Sequence, residues 1–382
     1  MYAWMVFRHR LRGKLNQADF RPSVTILKPI AGLDERLEAN LVSFFELNYE
    51  PLQLIFGCDR DNDPGIALVR KIAERYPQRD CLILTELDGP AASPKMVNLD
   101  AMLPHAKHEL VLLSDSNVRI EPDDLAWMVQ PMRDKRVGLV YQPVVGVDEV
   151  SNAAAVENLR LTEYPGVMSI AAKVFLFQDC VMGKGMLCRR EALTSIGDFV
   201  QVRDSAADDY MIGDAIKKAG WKLCLADVPA RVVHIDWGWN SFIKRHTRHA
   251  AMRWRITKFA YPLELVFMPL VVAFVPMMAM GLRGLPWTLA AIVAKMVLEA
   301  IAARALRRQP LAWRHWLMMP VKDALMLYIL LRALFDNRVH WRGKTYKMLA
   351  DTKLELIGVN EPEEELESAH SRPAVDQVTV GK

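Results

Sequence analysis

The sequence predicts an α/β domain with a doubly wound sheet over about residues 20–240, followed by apolar helices. Short runs rich in Val, Ile and Leu alternate with segments of helical length in this first part of the chain, which is the pattern of parallel strands joined by helices. Long apolar stretches then fill residues 263–335. The composition agrees with such a mixture, since 52% of the residues are hydrophobic and the mean hydropathy is +0.05, although 25% are charged.

Five apolar runs are the predicted strands. They are SVTILKP at 23–29, LQLIFGC at 52–58, CLILTEL at 81–87, ELVLLSD at 109–115 and VGLVYQP at 137–143. Their apolar residues are consecutive instead of alternating, which is typical of strands buried on both faces. The clearest helical segments between them cover residues 34–45, 64–75 and 122–130. Each begins at or just after an acidic residue, Asp34, Asp63 or Glu121, as helix N-termini often do.

Charge and cysteine usage exclude several classes of protein. The net charge is +4, with 49 Lys and Arg against 45 Asp and Glu, which is too balanced for a protein whose main partner is nucleic acid. The five cysteines include no C-x-x-C pair, so neither a disulfide framework nor a structural zinc site is predicted. We expect no nucleic-acid partner, and a catalytic part that faces a reducing compartment.

The apolar stretches predict two or three membrane helices within residues 263–345. The strongest, at 263–281, has Glu264 as its single charged residue and is long enough to cross a bilayer core of about 30 Å. Basic residues precede it between positions 244 and 258, and the positive-inside rule then places the preceding domain in the cytoplasm. We therefore expect a multi-pass membrane protein, located in the inner membrane if the source is a bacterium.

The other two apolar stretches contain charged residues. The stretch at 285–304 carries Lys295 and Glu299, which lie four residues apart and are placed to pair on one helix face. The stretch at 318–335 carries three charged residues. Two interpretations stay open for both stretches, namely a membrane span and a buried or interfacial helix.

Three further segments have distinctive compositions. Residues 1–20 combine a short apolar run with basic residues, which is typical of an interfacial anchor or of the remnant of a longer segment. Residues 241–262 are basic and aromatic and predict an interfacial helix, with a plain amphipathic linker as the alternative. Residues 346–382 end in a polar, acidic stretch and predict a disordered tail.

Acidic residues gather where ligands bind in an open α/β sheet, beyond the carboxyl ends of its strands. They are Asp59, Asp61 and Asp63 in CDRDNDPG, Asp115 in SDSN, and Asp208 and Asp209 in AADDYMIGDAI. Any one of them alone is ordinarily a turn former or a helix cap. Together they indicate a magnesium or manganese ion that bridges a diphosphate, with a separate carboxylate to deprotonate a hydroxyl nucleophile.

Several other motifs are absent from the sequence. It contains no Walker-type phosphate loop, no G-x-G-x-x-G and no G-x-S-x-G, and CDRDNDPG lacks the glycine and distal glutamate of an EF-hand. These absences argue against ATP hydrolysis, dinucleotide binding, a Ser–His–Asp hydrolase and a calcium loop on the usual motifs. The remaining interpretation is a site that binds a nucleotide diphosphate through a metal ion and acidic residues.

The same residues carry a resemblance to a known family. The sequence resembles the ceramide glucosyltransferases, glycosyltransferase family 21, in blocks that follow the family's order over nearly the whole chain. These blocks are SVTILKPIAGLDERLEANLVSFFELNYE, PKMVNLDAML, LLSDSN, CVMGKGMLCRREAL, ADDYMIGDAIKKAGW, AMRWRITK and DNRVHWRGKTYKM. The resemblance implies a membrane-anchored enzyme with the GT-A fold, in which a doubly wound mixed sheet binds a nucleotide-sugar.

The resemblance also implies roles for the acidic residues that match the family's motifs. The first motif, which contacts the nucleotide, falls on Asp59, Asp61 and Asp63, and the assignment among the three stays open. Asp115 matches the second motif, which holds the divalent cation, Mg²⁺ or Mn²⁺, and the sugar diphosphate. Asp209 matches the third motif, whose carboxylate is the general base.

A basic motif follows near the predicted interfacial helix. Arg253 and Trp254 match the end of the family's Q/R-x-x-R-W motif, which lies near the donor phosphates and the acceptor. The first position of the motif is Ala250 in this chain, so Arg248 or His249 would have to supply the polar side chain.

The implied reaction moves a sugar, glucose on this resemblance, from a UDP-sugar to the primary hydroxyl of ceramide. Asp209 takes the hydroxyl proton while the oxygen attacks the anomeric carbon from the face opposite the diphosphate, which inverts that carbon. Lys95 in PKMVNL is placed to contact phosphate or to orient an acidic residue, with an exposed lysine at a helix start as the alternative. Other readings of the function stay open: a hopanoid or diacylglycerol acceptor, a different UDP-sugar (N-acetylglucosamine, galactose or glucuronic acid), and a membrane lipid or sugar-nucleotide binding protein without turnover.

Overall fold

The computed structural model describes residues 20–90, 93–203, 205, 207–256, 261, 264, 266, 268–307, 309, 311–335, 338–341, 344–348 and 354–359. The expected N-terminal anchor, apart from Phe20, lies outside these residues, as does the expected tail from residue 360 onward. The expected catalytic range 21–240 is covered except at residues 91, 92, 204 and 206.

The centre of the fold is a mixed β-sheet. The strands of the chain are β1 (Val24–Pro29), β2 (Leu52–Gly57), β3 (Asp80–Leu84), β4 (Leu110–Leu113), β5 (Val118–Arg119), β6 (Val137–Tyr141), β7 (Val144–Val147), β8 (Met186–Arg189), β9 (Lys222–Leu225), β10 (Ala230–Val233), β11 (Arg338–Trp341), β12 (Lys344–Met348) and β13 (Leu354–Val359). The main sheet has the order β3-β2-β1-β4-β8-β6-β9. Strands β1 to β4 pair with one another in parallel, whereas β8 is antiparallel to both β4 and β6.

This topology confirms the predicted doubly wound α/β sheet. The five apolar runs form β1, β2, β3, β4 and β6. One detail of the prediction is wrong, because β3 is partly exposed along its length and is not buried on both faces. The reason is its place at the end of the strand order, where an edge strand has a neighbour on one side only.

Helices cover the sheet and form the C-terminal part of the chain. They are α1 (Leu37–Phe45), α2 (Pro64–Arg75), α3 (Pro94–Met102), α4 (Asp124–Met128), α5 (Asn152–Leu161), α6 (Ser169–Phe175), α7 (Arg190–Ser195), α8 (Asp208–Lys218), α9 (Trp239–Ile256), α10 (Pro269–Met280), α11 (Leu285–Arg307), α12 (Trp313–Trp316) and α13 (Met318–Ala333). Short 3₁₀ helices lie at Leu103–His105, Gln130–Arg133 and Gly281–Gly284, and a π-helical stretch at Thr162–Met168 joins α5 to α6.

The predicted helix starts are only partly correct. Helix α2 coincides with the predicted range 64–75. Helix α1 begins at Leu37, later than predicted, because the preceding Arg36 has left-handed backbone with φ 55°. Helix α4 also begins later than predicted, at Asp124, whose side chain accepts a hydrogen bond from the backbone N–H of Glu121.

Both faces of the main sheet are buried. Under α1 and α2 the core includes Ile26, Phe44 and Val69. Under α3 and α8, on the opposite face, it includes Met96 and Ile212. Burial on both faces explains why the strands carry consecutive apolar residues.

A small second sheet, of order β5-β10-β7, lies beside the loop that follows β4. Strand β10 is parallel to β7 and antiparallel to β5. The backbone N–H of Val233 at the end of β10 donates to the carbonyl of Asn117 at 3.1 Å. The S-D-S-N loop is therefore tied to the end of a strand from the second sheet.

Helices α10, α11 and α13 contain most of the apolar stretches after residue 262. Helix α10 begins at Pro269, after Met268, whose backbone is not helical, with ψ 135°. Lys295 and Glu299 on α11 form the ion pair that their spacing predicts. Across the described part of the chain, every helix is too short or too polar to meet the requirements of a membrane span.

Strands β11, β12 and β13 correct two predicted boundaries. They form an antiparallel sheet that begins inside the predicted membrane-helix region, 263–345, and continues into the predicted disordered tail, 346–382. The helical region therefore ends before Arg338, and residues 354–359 of the predicted tail form a strand. Pairing with β12 provides hydrogen-bond partners for the backbone of β13, which composition alone does not reveal.

Candidate active site

The loop after β4 holds Asp115 between two lysines. Lys184 Nζ lies 2.5 Å from Asp115 Oδ2, and Lys95 Nζ lies 3.1 Å from Asp115 Oδ1. Burial acts to raise the pKa of this carboxyl, but Lys184 and Lys95 together outweigh burial and hold the pKa well below its usual range. Asp115 is therefore ionised at neutral pH, as a metal ligand must be.

Lys28, near the end of β1, contacts the backbone of the same loop through its buried side chain. It is 1% exposed, and its Nζ donates to the main-chain oxygen of Asp115 at 2.6 Å. The same atom lies 3.7 Å from the centre of the Phe44 ring, which is a cation–π contact. Burial lowers the pKa of Lys28 to about 7, against the opposing effects of Asp115 and Asp34. Lys28 thus fixes the backbone that carries Asp115.

The N-terminus of α8 supplies a second pair of carboxylates. Asp208 Oδ2 lies 3.3 Å from Lys95 Nζ, so this lysine joins α8 to the β4 loop. Asp209 accepts hydrogen bonds from the backbone N–H groups of Gly183 at 2.6 Å and Tyr210 at 2.8 Å. Burial and the charge of Asp208 raise the pKa of Asp209 to about 6, although Lys95 and the two N–H groups act in the opposite direction. A carboxylate with this pKa can accept a proton near neutral pH.

The structure thus brings Asp115, Asp209 and Lys95 into one cluster. Lys95 begins α3, yet its side chain is only 29% exposed and contacts two carboxylates. The alternative interpretation of Lys95 as an exposed lysine at a helix start is therefore wrong. Its charge holds the β4 loop and α8 next to each other.

Asp63, one of the three candidates for the nucleotide contact, caps a helix. Its side chain is fully buried. One carboxylate oxygen accepts from the backbone N–H of Gly65 at 2.7 Å and the other from that of Gly32 at 2.8 Å. Both oxygens therefore hold the start of α2 against the loop after β1, and neither is free for a ligand.

The other two aspartates after β2 are exposed. Asp61 forms an ion pair with Arg70 on α2. Asp59 has a 39% exposed side chain and accepts a weak hydrogen bond from the thiol of Cys58 at 3.4 Å. Of the three aspartates of the first motif, Asp59 consequently has the carboxylate with the weakest contacts to the rest of the protein.

Helix α9 carries the predicted basic motif. The guanidinium of Arg253 lies 4.4 Å from the ring centre of Tyr164 and pairs with Glu264. The Trp254 ring lies 5.5 Å from the Tyr261 ring. Ala250 is 1% exposed and packs in the core between α9 and α13, so a long polar side chain at this motif position would have to enter a packed interface.

The basic residues before the motif lie against helix α5. His246 Nε2 lies 2.5 Å from the carboxylate of the fully buried Glu157, and Arg245 Nε lies 3.7 Å from it. The His249 ring is 6.0 Å from the His246 ring. This polar contact fixes α9 on the α/β domain.

A divalent cation fits the cluster if phosphate oxygens complete its coordination. Within the described residues, no group of three or more acidic, histidine or cysteine side chains is arranged to hold a metal ion by itself. Asp115 Oδ1, however, is buried and accepts no hydrogen bond of good geometry. Magnesium typically takes one or two protein carboxylates and obtains its other ligands from substrate phosphates and water. Asp115 would hold the cation in this way.

Lys28, Lys184 and His234 belong to this region and were not identified as site residues from the sequence. Lys28 is the single charged residue within its predicted strand, and Lys184 lies between two glycines. Both features could have indicated these residues from the sequence. His234, just after β10, is 2% exposed, and its Nδ1 has no hydrogen-bond partner among the residues that the structure describes. Nothing local in the sequence distinguishes this histidine from a core residue.

Comparison with known proteins gives a match over most of the chain. The family model described as Glycosyl transferase family 21 matches residues 1–354. Ceramide glucosyltransferase 3 of Caenorhabditis elegans is 23% identical over 349 residues, which cover 89% of this chain and 76% of that protein. Ceramide glucosyltransferase 1 of the same organism is 28% identical over 223 residues, which cover 58% of this chain and 48% of that protein.

Solved structures include similar chains at low identity. One is the mannosyltransferase PcManGT from Pyrobaculum calidifontis in complex with GDP-Man and Mn²⁺. It is 21% identical, with a TM-score of 0.47, and the match covers 88% of this chain and 95% of that chain.

Proposed function

The chain belongs to glycosyl transferase family 21 and is a glycosyltransferase, and on this premise we propose that it transfers glucose from UDP-glucose to the primary hydroxyl of ceramide, with inversion at the anomeric carbon. One observation carries the proposed mechanism. Asp209, whose pKa is raised to about 6, lies in the same cluster as the ionised Asp115. Two carboxyls with separated pKa values are suited to different roles in one site.

Asp209 is the proposed general base. Its two backbone hydrogen bonds, from Gly183 and Tyr210, fix the orientation of the carboxylate. It takes the proton of the acceptor hydroxyl while that oxygen forms its bond to the anomeric carbon and the bond from this carbon to the UDP oxygen breaks. Attack from the face opposite the leaving diphosphate inverts the configuration.

Asp115 and Lys95 bind the donor side in this proposal. Asp115 would hold a divalent cation, which supplies charge stabilisation to the departing diphosphate. Lys95 keeps Asp115 and α8 at a fixed separation through its two ion pairs. Asp59 is the assigned nucleotide contact of the first motif, because Asp63 is used as a cap. Arg253 and Trp254 are assigned to the donor phosphates and the acceptor on the family's motif.

The acceptor is proposed to be a lipid in a bilayer. Supporting this, α10 and α11 expose large apolar side chains: Val272, Val275, Met278, Met280, Leu285, Trp287, Leu289 and Val293. Contiguous apolar surface of this kind is unfavourable in water and favours contact with lipid. We propose that these helices hold the protein on or in the membrane, with the α/β domain on the cytoplasmic side as the positive-inside rule indicates.

A substrate panel tests the proposal. The purified protein in detergent is given UDP-glucose, UDP-galactose, UDP-N-acetylglucosamine or UDP-glucuronic acid, with ceramide, diacylglycerol or a hopanoid, and the glycolipid formed is identified by mass spectrometry. Glucosylceramide with β-configured sugar is the expected product. A product formed with a different lipid only, or a retained α-linkage, would contradict the corresponding part of the proposal.

The base is tested by Asp209→Asn. Loss of the proton acceptor is expected to lower kcat by about 10²–10⁴-fold, whereas the dissociation constant for UDP should stay near that of the wild type. Asp214→Asn on the same helix is the matched control, since Asp214 pairs with Lys218 instead of entering the cluster. Wild-type turnover in Asp209→Asn would remove Asp209 from the role of base.

A further inference from the structure

Lys184 forms an ion pair with Asp115, the carboxylate that binds the cation in the proposed function. Its Nζ lies 2.5 Å from Asp115 Oδ2 and 3.1 Å from Asn117 Oδ1. Its side chain is 18% exposed. An ammonium group this close to the carboxylate repels a divalent cation that approaches the Oδ1 atom of the same group, so Lys184 and the cation compete for Asp115.

The two lysines on Asp115 are held differently. Among the ion pairs of the described residues, Lys95 lies between two carboxylates, those of Asp115 and Asp208. Lys184 pairs with Asp115 and otherwise contacts the neutral amide of Asn117. Detaching Lys184 from Asp115 therefore breaks fewer charge interactions than detaching Lys95.

The backbone around Lys184 is fixed by its neighbouring glycines. The N–H of Gly183 binds Asp209, and a Cβ at Gly183 would lie 3.1 Å from both Asp209 Cβ and Lys95 Nζ. A Cβ at Gly185 would lie 1.9 Å from Oε1 of the buried Gln142. With its backbone held, Lys184 can change partners by rotation about its side-chain bonds, and a flexible four-carbon stem allows this.

From this arrangement we infer that Lys184 exchanges partners during donor binding. In the donor-free protein it neutralises Asp115. When Asp115 binds the cation together with a nucleotide-sugar, Lys184 moves to the diphosphate, whose negative charge attracts the lysine ammonium group. The inference rests on the proposed function, because it presupposes a nucleoside diphosphate in this site.

The exchange couples the two ligands. A cation that binds alone must displace Lys184 while no anion is present to receive it, so its affinity is low. UDP receives the displaced ammonium and raises that affinity, and by linkage the cation raises the affinity for UDP by the same factor. Coupling between two binding sites is typically about 5–150-fold, and Lys184 adds to the coupling that the direct contact between the cation and the phosphate oxygens supplies.

The experiment measures Mn²⁺ binding without turnover. Free Mn²⁺ is followed by electron paramagnetic resonance, with and without UDP, for the wild type, Lys184→Met and Lys184→Arg. Lys107→Met is the control, because Lys107 pairs with Asp80 on the surface and is 61% exposed. UDP binding in the presence of Mn²⁺ is measured in parallel by calorimetry, and circular dichroism establishes that each variant is folded.

We expect Lys184→Met to bind Mn²⁺ alone about fivefold or more tightly than the wild type and to bind UDP with Mn²⁺ more weakly, so that the coupling factor falls below that of the wild type. Lys184→Arg keeps the charge and should keep weak binding of Mn²⁺ alone. Unchanged or weaker Mn²⁺ binding by Lys184→Met, unchanged UDP binding, or equal behaviour of the two variants would overturn the inference. A wild type that binds no UDP would instead contradict the proposed function.

Discussion

Asp115 and Asp209 are both partly buried carboxyls, yet their pKa values move in opposite directions. Each of the two oxygens of Asp115 has a lysine ammonium group within 3.1 Å. Asp209 has the carboxylate of Asp208 beside it, and its hydrogen-bond donors among the described residues are the backbone N–H groups of Gly183 and Tyr210. The positions of Lys95 and Lys184 therefore decide which carboxyl is a permanent anion and which one exchanges a proton.

The first prediction concerns the pH dependence of activity. Asp209 is active as a base only when deprotonated, so kcat/KM should fall about tenfold per pH unit below a pKa of about 6. Asp208→Asn removes a negative neighbour that raises this pKa, and the acid limb should then move to lower pH. Lys95→Met removes a positive neighbour and should move it to higher pH. Rates of transfer measured from pH 4.5 to 8 in mixed buffer would reveal both shifts, and an unmoved acid limb in both variants would contradict the assignment.

The second prediction separates the cap from the nucleotide contact. Asp63→Ala leaves the N–H groups of Gly65 and Gly32 without partners and should lower the free energy of unfolding by about 0.5–2 kcal/mol. Asp59→Ala, at a 39% exposed side chain, should leave stability nearly unchanged and weaken UDP binding. Chemical denaturation and calorimetry measure the two quantities. A loss of UDP affinity in the Asp63 variant alone would reverse the assignment.

At the scale of the elements, a close contact between a strand and a helix holds the second sheet, to which the S-D-S-N loop is tied. Strand β7 packs directly on α5, and a Cβ at Gly146 would lie 2.3 Å from the Cα of Asn158. The amide of Asn158 in turn donates to the carbonyls of Val147 and His234 at 2.9 and 3.0 Å. A backbone approach this close requires glycine, and it fixes β7 and the end of β10 to one side chain.

The third prediction tests this contact. Gly146→Ala forces the backbone of α5 away from β7 and should destabilise the fold by about 1–3 kcal/mol or more, as overpacking does. Gly89→Ala is the control, because the nearest atom to its Cβ, in Val97, is 3.5 Å away, which is ordinary contact. Thermal unfolding in detergent measures both variants. Equal melting temperatures would show that β7 and α5 can separate freely.

Strands and helices were the most predictable elements. Consecutive apolar residues identified β1, β2, β3, β4 and β6, and Asp63 before Pro64 identified the start of α2, because these patterns depend on neighbours in the sequence. The strands β5 and β7–β10 were not identified. The late start of α1, the exposure of β3 and the strands β11–β13 were not predicted. Each depends on a circumstance that the local apolar pattern does not show: the left-handed backbone of Arg36, the edge position of β3, and the pairing of β11, β12 and β13 with one another.

At the scale of the whole molecule, a buried charge network joins the α/β domain to the C-terminal helices. Lys322 on α13 is fully buried and pairs with Glu163 in the π-helical stretch and with Glu299 on α11. Lys295 on α11 lies 2.7 Å from Asp323 and 3.6 Å from Glu163. Glu163 thereby connects the π-helical stretch of the α/β domain to α11 and α13, two helices of the predicted membrane region.

The fourth prediction concerns this network. Lys322→Met leaves buried carboxylates without their main counter-charge and should destabilise the protein by about 3–5 kcal/mol. The double variant Lys322→Met with Glu163→Gln should lose less than the sum of the two single variants, because the pair is coupled. Arg75→Met, in an exposed pair with Glu38, should change stability by no more than about 1 kcal/mol. Strict additivity in thermal unfolding would contradict the coupling.

The sequence by itself determined five strands of the main sheet, the helix α2, the acidic motifs and the charged positions within the apolar stretches, because each is carried by residues close together in the chain. Only the tertiary structure decided that Lys28, Lys95 and Lys184 meet at Asp115 and that Asp63 is a cap. The physical reason is that the pKa of a carboxyl, and its freedom to bind a ligand, depend on burial and on charges brought within a few ångströms, and those charges come from strands and loops far apart in the sequence.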